Sequence, residues 1–98
     1  MSNDVSRSDL AALAKDGWDV VSDIAAVKKT FRFKSFKHAF DWMSRVAVIA
    51  EELDHHPEWF NIYDRVHVRL ISHDAKRVTM RDVLLARRMD GLVNGLDS

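Results

Sequence analysis

The sequence predicts an α+β domain, a four-stranded antiparallel sheet with three helices packed on one face, in the order α-β-β-α-β-β-α. Three observations carry that prediction. "AVKKTFRFKSF" and "RVHVRLIS" alternate apolar with polar residues, the period of a half-buried strand. Between them, Phe36 to Leu53 repeats apolar residues at 3.6 spacing, the period of a helix. The chain's single proline, Pro57, biases His56 away from the α region, so that helix must end at about His55.

Each element follows in order. "SRSDLAALAKDGW" predicts a short first helix capped by Ser6 or Ser8, with Leu10, Ala11, Leu13 and Ala14 apolar and Gly17 suited to the left-handed position past its end. Trp18, Val20 and Val21 form a first strand, and Ser22 and Asp23 a turn. In the second strand Phe31 and Phe33 share one face, and Thr30, Arg32 and Lys34 the other. Ser35 caps the long helix. Its stripe is Phe36, Ala39, Phe40, Met43, Val46, Ala47, Ala50 and Leu53; Trp42 and Ile49 widen it beyond one sheet face, which hints at contact with another subunit and is explained nearly as well by a broad core contact. "WFNIY" and "RVHVRLIS" are the last two strands, with Val66, Val68 and Leu70 opposite His67, Arg69 and Ile71. A last helix begins at Thr79 with a cap-like Thr79-x-x-Asp82 pairing; Val83, Leu84, Leu85, Ala86, Met89, Leu92 and Leu96 are its apolar surface.

Composition narrows the function. At 98 residues the chain is expected to be one domain, residues 1–98, with a single core. Fifteen Lys and Arg balance fifteen Asp and Glu, which removes the broad attraction behind non-specific nucleic-acid binding. "VKK" (Val27 to Lys29) and "ARR" (Ala86 to Arg88) are the local basic candidates, both expected to be solvated surface. The absence of cysteine excludes disulfides, thiolate nucleophiles and Cys-type zinc sites. "MSNDVSRSDL" lacks the apolar run of a signal peptide, and no run nears the roughly 20 residues that span a bilayer, so a cytoplasmic protein that binds neither membrane nor nucleic acid is expected.

Four of the five histidines fall within "EELDHHPEWFNIYDRVHVRLISHD", Glu51 to Asp74. A structural explanation is open: imidazolium near a helix C-terminus is favoured by roughly 0.3–1 kcal/mol. A zinc site would need three or four converging ligands, and adjacent residues in extended chain, such as His55 and His56, point apart. Proton transfer suits the setting, because imidazole gives and takes protons near neutrality. His55 and His56 at a helix end and His73 past a strand could surround a small molecule. Glu51, Asp54 and Asp74 lie within reach to orient tautomers, and Trp59 and Phe60 could line an aromatic slot or serve as packing. His38 is expected on the surface, and with no Ser-His or Cys-His nucleophile, non-covalent acid–base work on an uncharged substrate remains.

The pattern Glu-x3-His-His-Pro (Glu51, His55, His56, Pro57), then Tyr63, His73 and Asp82, resembles the signature of the pterin-4a-carbinolamine dehydratases. The flanks agree: Gly17-Trp18, the phenylalanine pattern from Phe31 to Phe40, and "LDHHPEWFNIYDRVHV". The likeness runs from about Leu10 to the last helix. It implies the same element order, and a hydro-lyase that removes water from 4a-hydroxytetrahydropterin to give quinonoid dihydropterin in tetrahydrobiopterin recycling. It also implies no metal, no organic cofactor, and a homotetramer, a dimer of dimers, formed through a helix bundle. Residue by residue, His55, His56 and His73 fall on catalytic positions, and Asp54, His55, His56, Ile71, Ser72, His73 and Asp74 on substrate contacts. Glu51, Trp59 and Asp82 are supporting, with helix capping the main job expected of Asp82; His67 is no motif position. Ala75 stands where some animal relatives carry cysteine. Within this resemblance His55 is the expected principal acid, His73 shares acid–base work, and His56 binds and orients the ring. The competing class is a non-catalytic dimerisation or coactivator module acting through the helical face, as some animal members bind a homeodomain transcription factor.

Overall fold

A computed structural model of the chain describes residues 5–21 and 25–96, with side chains through 93. The turn expected at Ser22 and Asp23 and the side chain of Leu96 lie outside the described residues. The elements run α1 (Arg7–Lys15), β1 (Asp19–Val20), β2 (Val27–Arg32), α2 (Phe36–Leu53), β3 (Glu58–Ile62), β4 (Arg65–Leu70) and α3 (Met80–Leu96), the predicted α+β order. The strands form one antiparallel sheet in the order β1-β2-β4-β3. After β2 the chain leaves through α2, returns as edge strand β3, and folds back so that β4 inserts between β2 and β3.

Local chemistry explains the boundaries. Ser6 caps α1 in a reciprocal capping box with Asp9, and the Ser6 hydrogen bonds hold the Asp9 carboxyl below the ordinary carboxylate range. Gly17, at φ +97°, makes the left-handed turn into β1 that side chains resist. Ser35 caps α2 by accepting from the His38 N–H, and the His38 ring bonds back to the Ser35 hydroxyl.

Strand alternation builds the core. Val66, Val68 and Leu70 of β4 and Val27 and Phe31 of β2 face the helices and are buried. Lys29 shares that inward face, contrary to its expected place in a solvated basic patch. Its ammonium bonds Asp90 at 2.7 Å and the Asp16 carbonyl at 2.6 Å, and Asp90 also accepts from the Trp18 indole at 2.9 Å. The period of two turns every second residue inward, and the Asp90 carboxylate compensates the charge.

The long helix requires a second correction. Its buried face is Ala39, Trp42, Val46, Ile49 and Ala50. Of the two explanations open for Trp42 and Ile49, the broad core contact holds: both are buried in the chain's own core. Trp42 packs on Phe31 at 4.4 Å and Phe33 at 5.3 Å between ring centroids, and its indole N–H donates to the Met89 carbonyl. Phe36 and Phe40, placed on the core stripe by period alone, are exposed. The helix carries two apolar stripes about a third of a turn apart, and only one meets the sheet.

Candidate active site

The site forms where the end of α2 meets the loop between β4 and α3. Asp54 closes α2 in the left-handed region (φ 50°, ψ 43°), with the Asp54 N–H donating to Glu51 O and the His55 N–H to Ala50 O at 3.0 Å. This is a Schellman closure with aspartate where glycine is usual. The reversal sends the His55 ring toward α3, where it is 8% exposed. The extended step before Pro57 leaves His56 on the surface.

His55 Nε2 lies 2.5 Å from Asp82 Oδ1. Asp82 is fully buried, and its other oxygen accepts from the Ser72 hydroxyl at 2.7 Å and the Thr79 N–H at 2.9 Å. The Thr79 bond is the expected capping of α3, while the same carboxylate orients His55. Among the described residues no atom bonds His55 Nδ1. Because no buried side-chain nitrogen or oxygen among the described residues lacks a partner, that atom reaches solvent. A ring whose Nε2–H is held by a buried carboxylate presents the Nδ1 lone pair as a base, or Nδ1–H as an acid once protonated.

The other two histidines are exposed and each meets a surface carboxylate. His56 Nε2 lies 2.5 Å from Glu51 Oε2. The turn after β4 closes with Lys76 N–H on Ser72 O, and points His73 and Asp74 outward. His73 Nε2 lies 2.8 Å from Glu58 Oε2, and the other Glu58 oxygen accepts from Arg69 Nη1 at 2.7 Å. Asp74 accepts from Arg81 Nη2 at 2.7 Å; that bond holds the Asp74 carboxyl below the ordinary range and raises Arg81 further.

The structure therefore brings His55, Ser72 and Asp82 into one network, pairs His56 with Glu51, and ties His73 to the start of β3. No hydrogen bond or ring contact joins the three imidazoles. A groove of about 700 Å³ lies on the helix-free face of the sheet, lined by Lys28, Thr30, Glu58, Phe60, His67 and Arg69 among others, and of these Glu58 also bonds His73. Trp59 and Phe60 both border that groove, from opposite faces of β3. Trp59 is half-buried, 6.2 Å from Trp42, whereas Phe60 stacks on His67 on the opposite face at 4.5 Å. Among the described residues no three His, Asp or Glu side chains converge as metal ligands would. Glu58, Arg69, Thr79 and Arg81 were absent from the sequence-based site. Glu58, one residue past His-His-Pro, and Thr79, three before Asp82, had local signals; Arg69 and Arg81 depend on strand register and on the loop's fold.

Known proteins place the chain. The family model described as Pterin 4 alpha carbinolamine dehydratase matches residues 2–92. A protein of Jannaschia sp. (strain CCS1), provisionally named a pterin-4-alpha-carbinolamine dehydratase, is 49% identical over 85% of each chain. One of Paraburkholderia xenovorans (strain LB400), named in the same way, is 41% identical over 94% of each. The crystal structure of a transcriptional coactivator/pterin dehydratase from Brucella melitensis superposes with a TM-score of 0.80 at 40% identity, covering 98% of this chain and all of that one. A pterin dehydratase-like RuBisCO assembly factor of the alpha-carboxysome shares the fold, with a TM-score of 0.67 at 21% identity over 78% of this chain and 88% of its own. No described helix is long and apolar enough to cross a membrane. The match spans both halves of the site, from the α2 terminus that carries His55 to the α3 terminus that carries Asp82, and the chain belongs to the pterin 4 alpha carbinolamine dehydratase family.

Proposed function

We propose that the protein is a dehydratase that removes water from 4a-hydroxytetrahydropterin, giving quinonoid dihydropterin in tetrahydrobiopterin recycling, by histidine acid–base catalysis. The observation that carries this reading is the buried Asp82 carboxylate against His55 Nε2, which leaves Nδ1 as the open ring nitrogen. Hydroxide leaves C4a poorly at neutral pH. The His55 imidazolium gives its Nδ1 proton to the departing oxygen, the C4a–O bond breaks with its electron pair on oxygen, and water forms. The N5–H electrons become the N5=C4a bond, and His73 takes the N5 proton. Its imidazole is freely accessible, with a side chain 73% exposed, and Glu58 is there to hold the ring. His56, steadied by Glu51, binds and orients the heterocycle, with Asp54, Ile71 and Asp74 as further contacts. Trp59 supports this corner from the core side. The elimination breaks one C–O bond with proton transfers at both ends and no change of oxidation state, and the proposed enzyme uses no metal or organic cofactor.

The proposed assembly is a homotetramer, a dimer of dimers in the cytoplasm, built on the second apolar stripe of α2. Phe36 and Phe40 stack there 5.8 Å apart, with Met43 half-buried on the same stripe. That stripe also favours the second reading, a coactivator-type module acting through its helical face. His55→Ala separates the two. Stopped-flow decay of 4a-hydroxytetrahydropterin should slow by about 10²–10⁴-fold with circular dichroism unchanged. Wild-type turnover in the folded variant would remove His55 from the chemistry.

A further inference from the structure

Ser72 falls on a substrate-contact position by resemblance, yet its side chain is fully buried and its hydroxyl faces inward. It lies 2.7 Å from Thr79 Oγ1 and donates to Asp82 Oδ2 at 2.7 Å. A proton count gives the cluster a direction. The serine hydroxyl has one hydrogen, and it goes to Asp82. The Thr79 hydroxyl must then donate to Ser72 Oγ, because the reverse would need a second serine hydrogen. Thr79 Oγ1 in turn accepts from the Arg81 backbone N–H at 3.3 Å and from Arg81 Nε at 3.4 Å. The Thr79 N–H adds a second donor to Asp82 Oδ2 at 2.9 Å.

Every donor in this chain therefore points toward Asp82, from the first turn of α3 through two hydroxyls to one carboxylate oxygen. Chains of hydrogen bonds aligned in one sense polarise one another. With Oδ2 occupied by two donors, the remaining oxygen, Oδ1, faces the imidazole, and a carboxylate can only accept. His55 must carry its proton on Nε2.

We infer that Ser72 and Thr79 are positioning residues: their hydroxyls, acting through Asp82, hold His55 as the Nε2–H tautomer with Nδ1 open to solvent, and Ser72 does not touch substrate. The tautomer follows from the hydrogen-bond geometry alone; its value for catalysis rests on the dehydratase reading. The arrangement explains a buried serine immediately before the exposed His73. One residue of the turn reaches inward to set His55, and the next presents a second imidazole outward.

The test is long-range ¹H–¹⁵N correlation of the histidine rings in the full chain, above the range in which imidazole titrates, together with steady-state dehydration. Wild type should show His55 with a protonated Nε2 and a bare Nδ1, a measurement that needs no variant. Ser72→Ala should give a mixture of tautomers, and kcat should fall about tenfold, the rate equivalent of one hydrogen bond to a carboxylate, with KM unchanged. Thr79→Val should act in the same direction, and Thr79→Ser, which restores the hydroxyl, should return both readouts to wild type. A wild-type His55 protonated on Nδ1 overturns the inference. So does folded Ser72→Ala that keeps one tautomer and full kcat, or that raises KM alone, which would make Ser72 a substrate contact. The Nε2–H tautomer in a protein with no dehydration in any form would instead sink the dehydratase reading and leave the tautomer assignment standing.

Discussion

The two oxygens of Asp82 carry different loads. Oδ2 receives the Ser72 hydroxyl and the Thr79 N–H, which anchor the start of α3, and Oδ1 receives His55. Asp82→Asn should separate these jobs. The amide oxygen must take the Oδ2 position to keep its two donors satisfied, so the NH₂ group meets His55 Nε2. That nitrogen must then accept, and the ring proton moves to Nδ1, the wrong tautomer for a base at the open position. Dehydration should fall by about 10²–10⁴-fold while circular dichroism stays native. Turnover near wild type would show that Asp82 serves only as a helix cap. The sequence made the capping role visible, because Thr79 and Asp82 stand three residues apart, a local spacing. The bond to His55 spans 27 residues and appears only when α2 and α3 are packed.

Two elements meet at this corner through backbone turns that glycine would adopt more easily. Asp54, at φ 50°, closes α2 at a position where an L residue costs roughly 1–2 kcal/mol, less for aspartate than for bulkier side chains. If Asp54 stands there to contact the pterin, Asp54→Gly should keep or raise the melting temperature while KM increases. A stable variant with unchanged KM would confine Asp54 to helix closure. Across the corner, the Asp74–Arg81 pair ties the β4–α3 loop to α3. The lowered Asp74 value means that the pair's contribution is present above the ordinary carboxylate value of 3.8 and is lost as pH falls through the lower folded value. In Arg81→Ala the Asp74 carboxyl should titrate upward toward 3.8 by carboxyl ¹³C NMR; an unmoved midpoint would show that Arg81 is not its main partner. The element boundaries were largely legible: Phe36 to Leu53, the Ser35 cap and the Pro57 stop are all local. The choice between two apolar stripes on α2 was not legible, since periodicity identifies apolar faces without saying which one meets the sheet.

For the whole molecule, the unanswered surface is that second stripe. Phe40 is 53% exposed in the single chain and stacks on the likewise exposed Phe36. The proposed contact between copies rests on this patch. Phe40→Glu should shift light-scattering mass to a smaller species, because a charge would be buried against a second copy. An unchanged mass would move the contact elsewhere. Because α2 closes at Asp54, directly before His55, the same variant also reports whether assembly supports the site. Loss of mass with full turnover would make the single chain sufficient, whereas joint loss would mean that the corner needs its neighbours.

By itself the sequence determined the kinds of element, their order, the caps and stops, and a set of histidines and acids ordered like a known signature, because each of these depends on residues a few positions apart. Tertiary structure alone decided that β4 lies between β2 and β3, that Trp42 rather than Phe40 enters the core, that Lys29 turns inward, and that Ser72 faces Asp82. Those outcomes depend on which surfaces exclude water together and which buried polar atoms find partners, and both are settled only when distant segments pack.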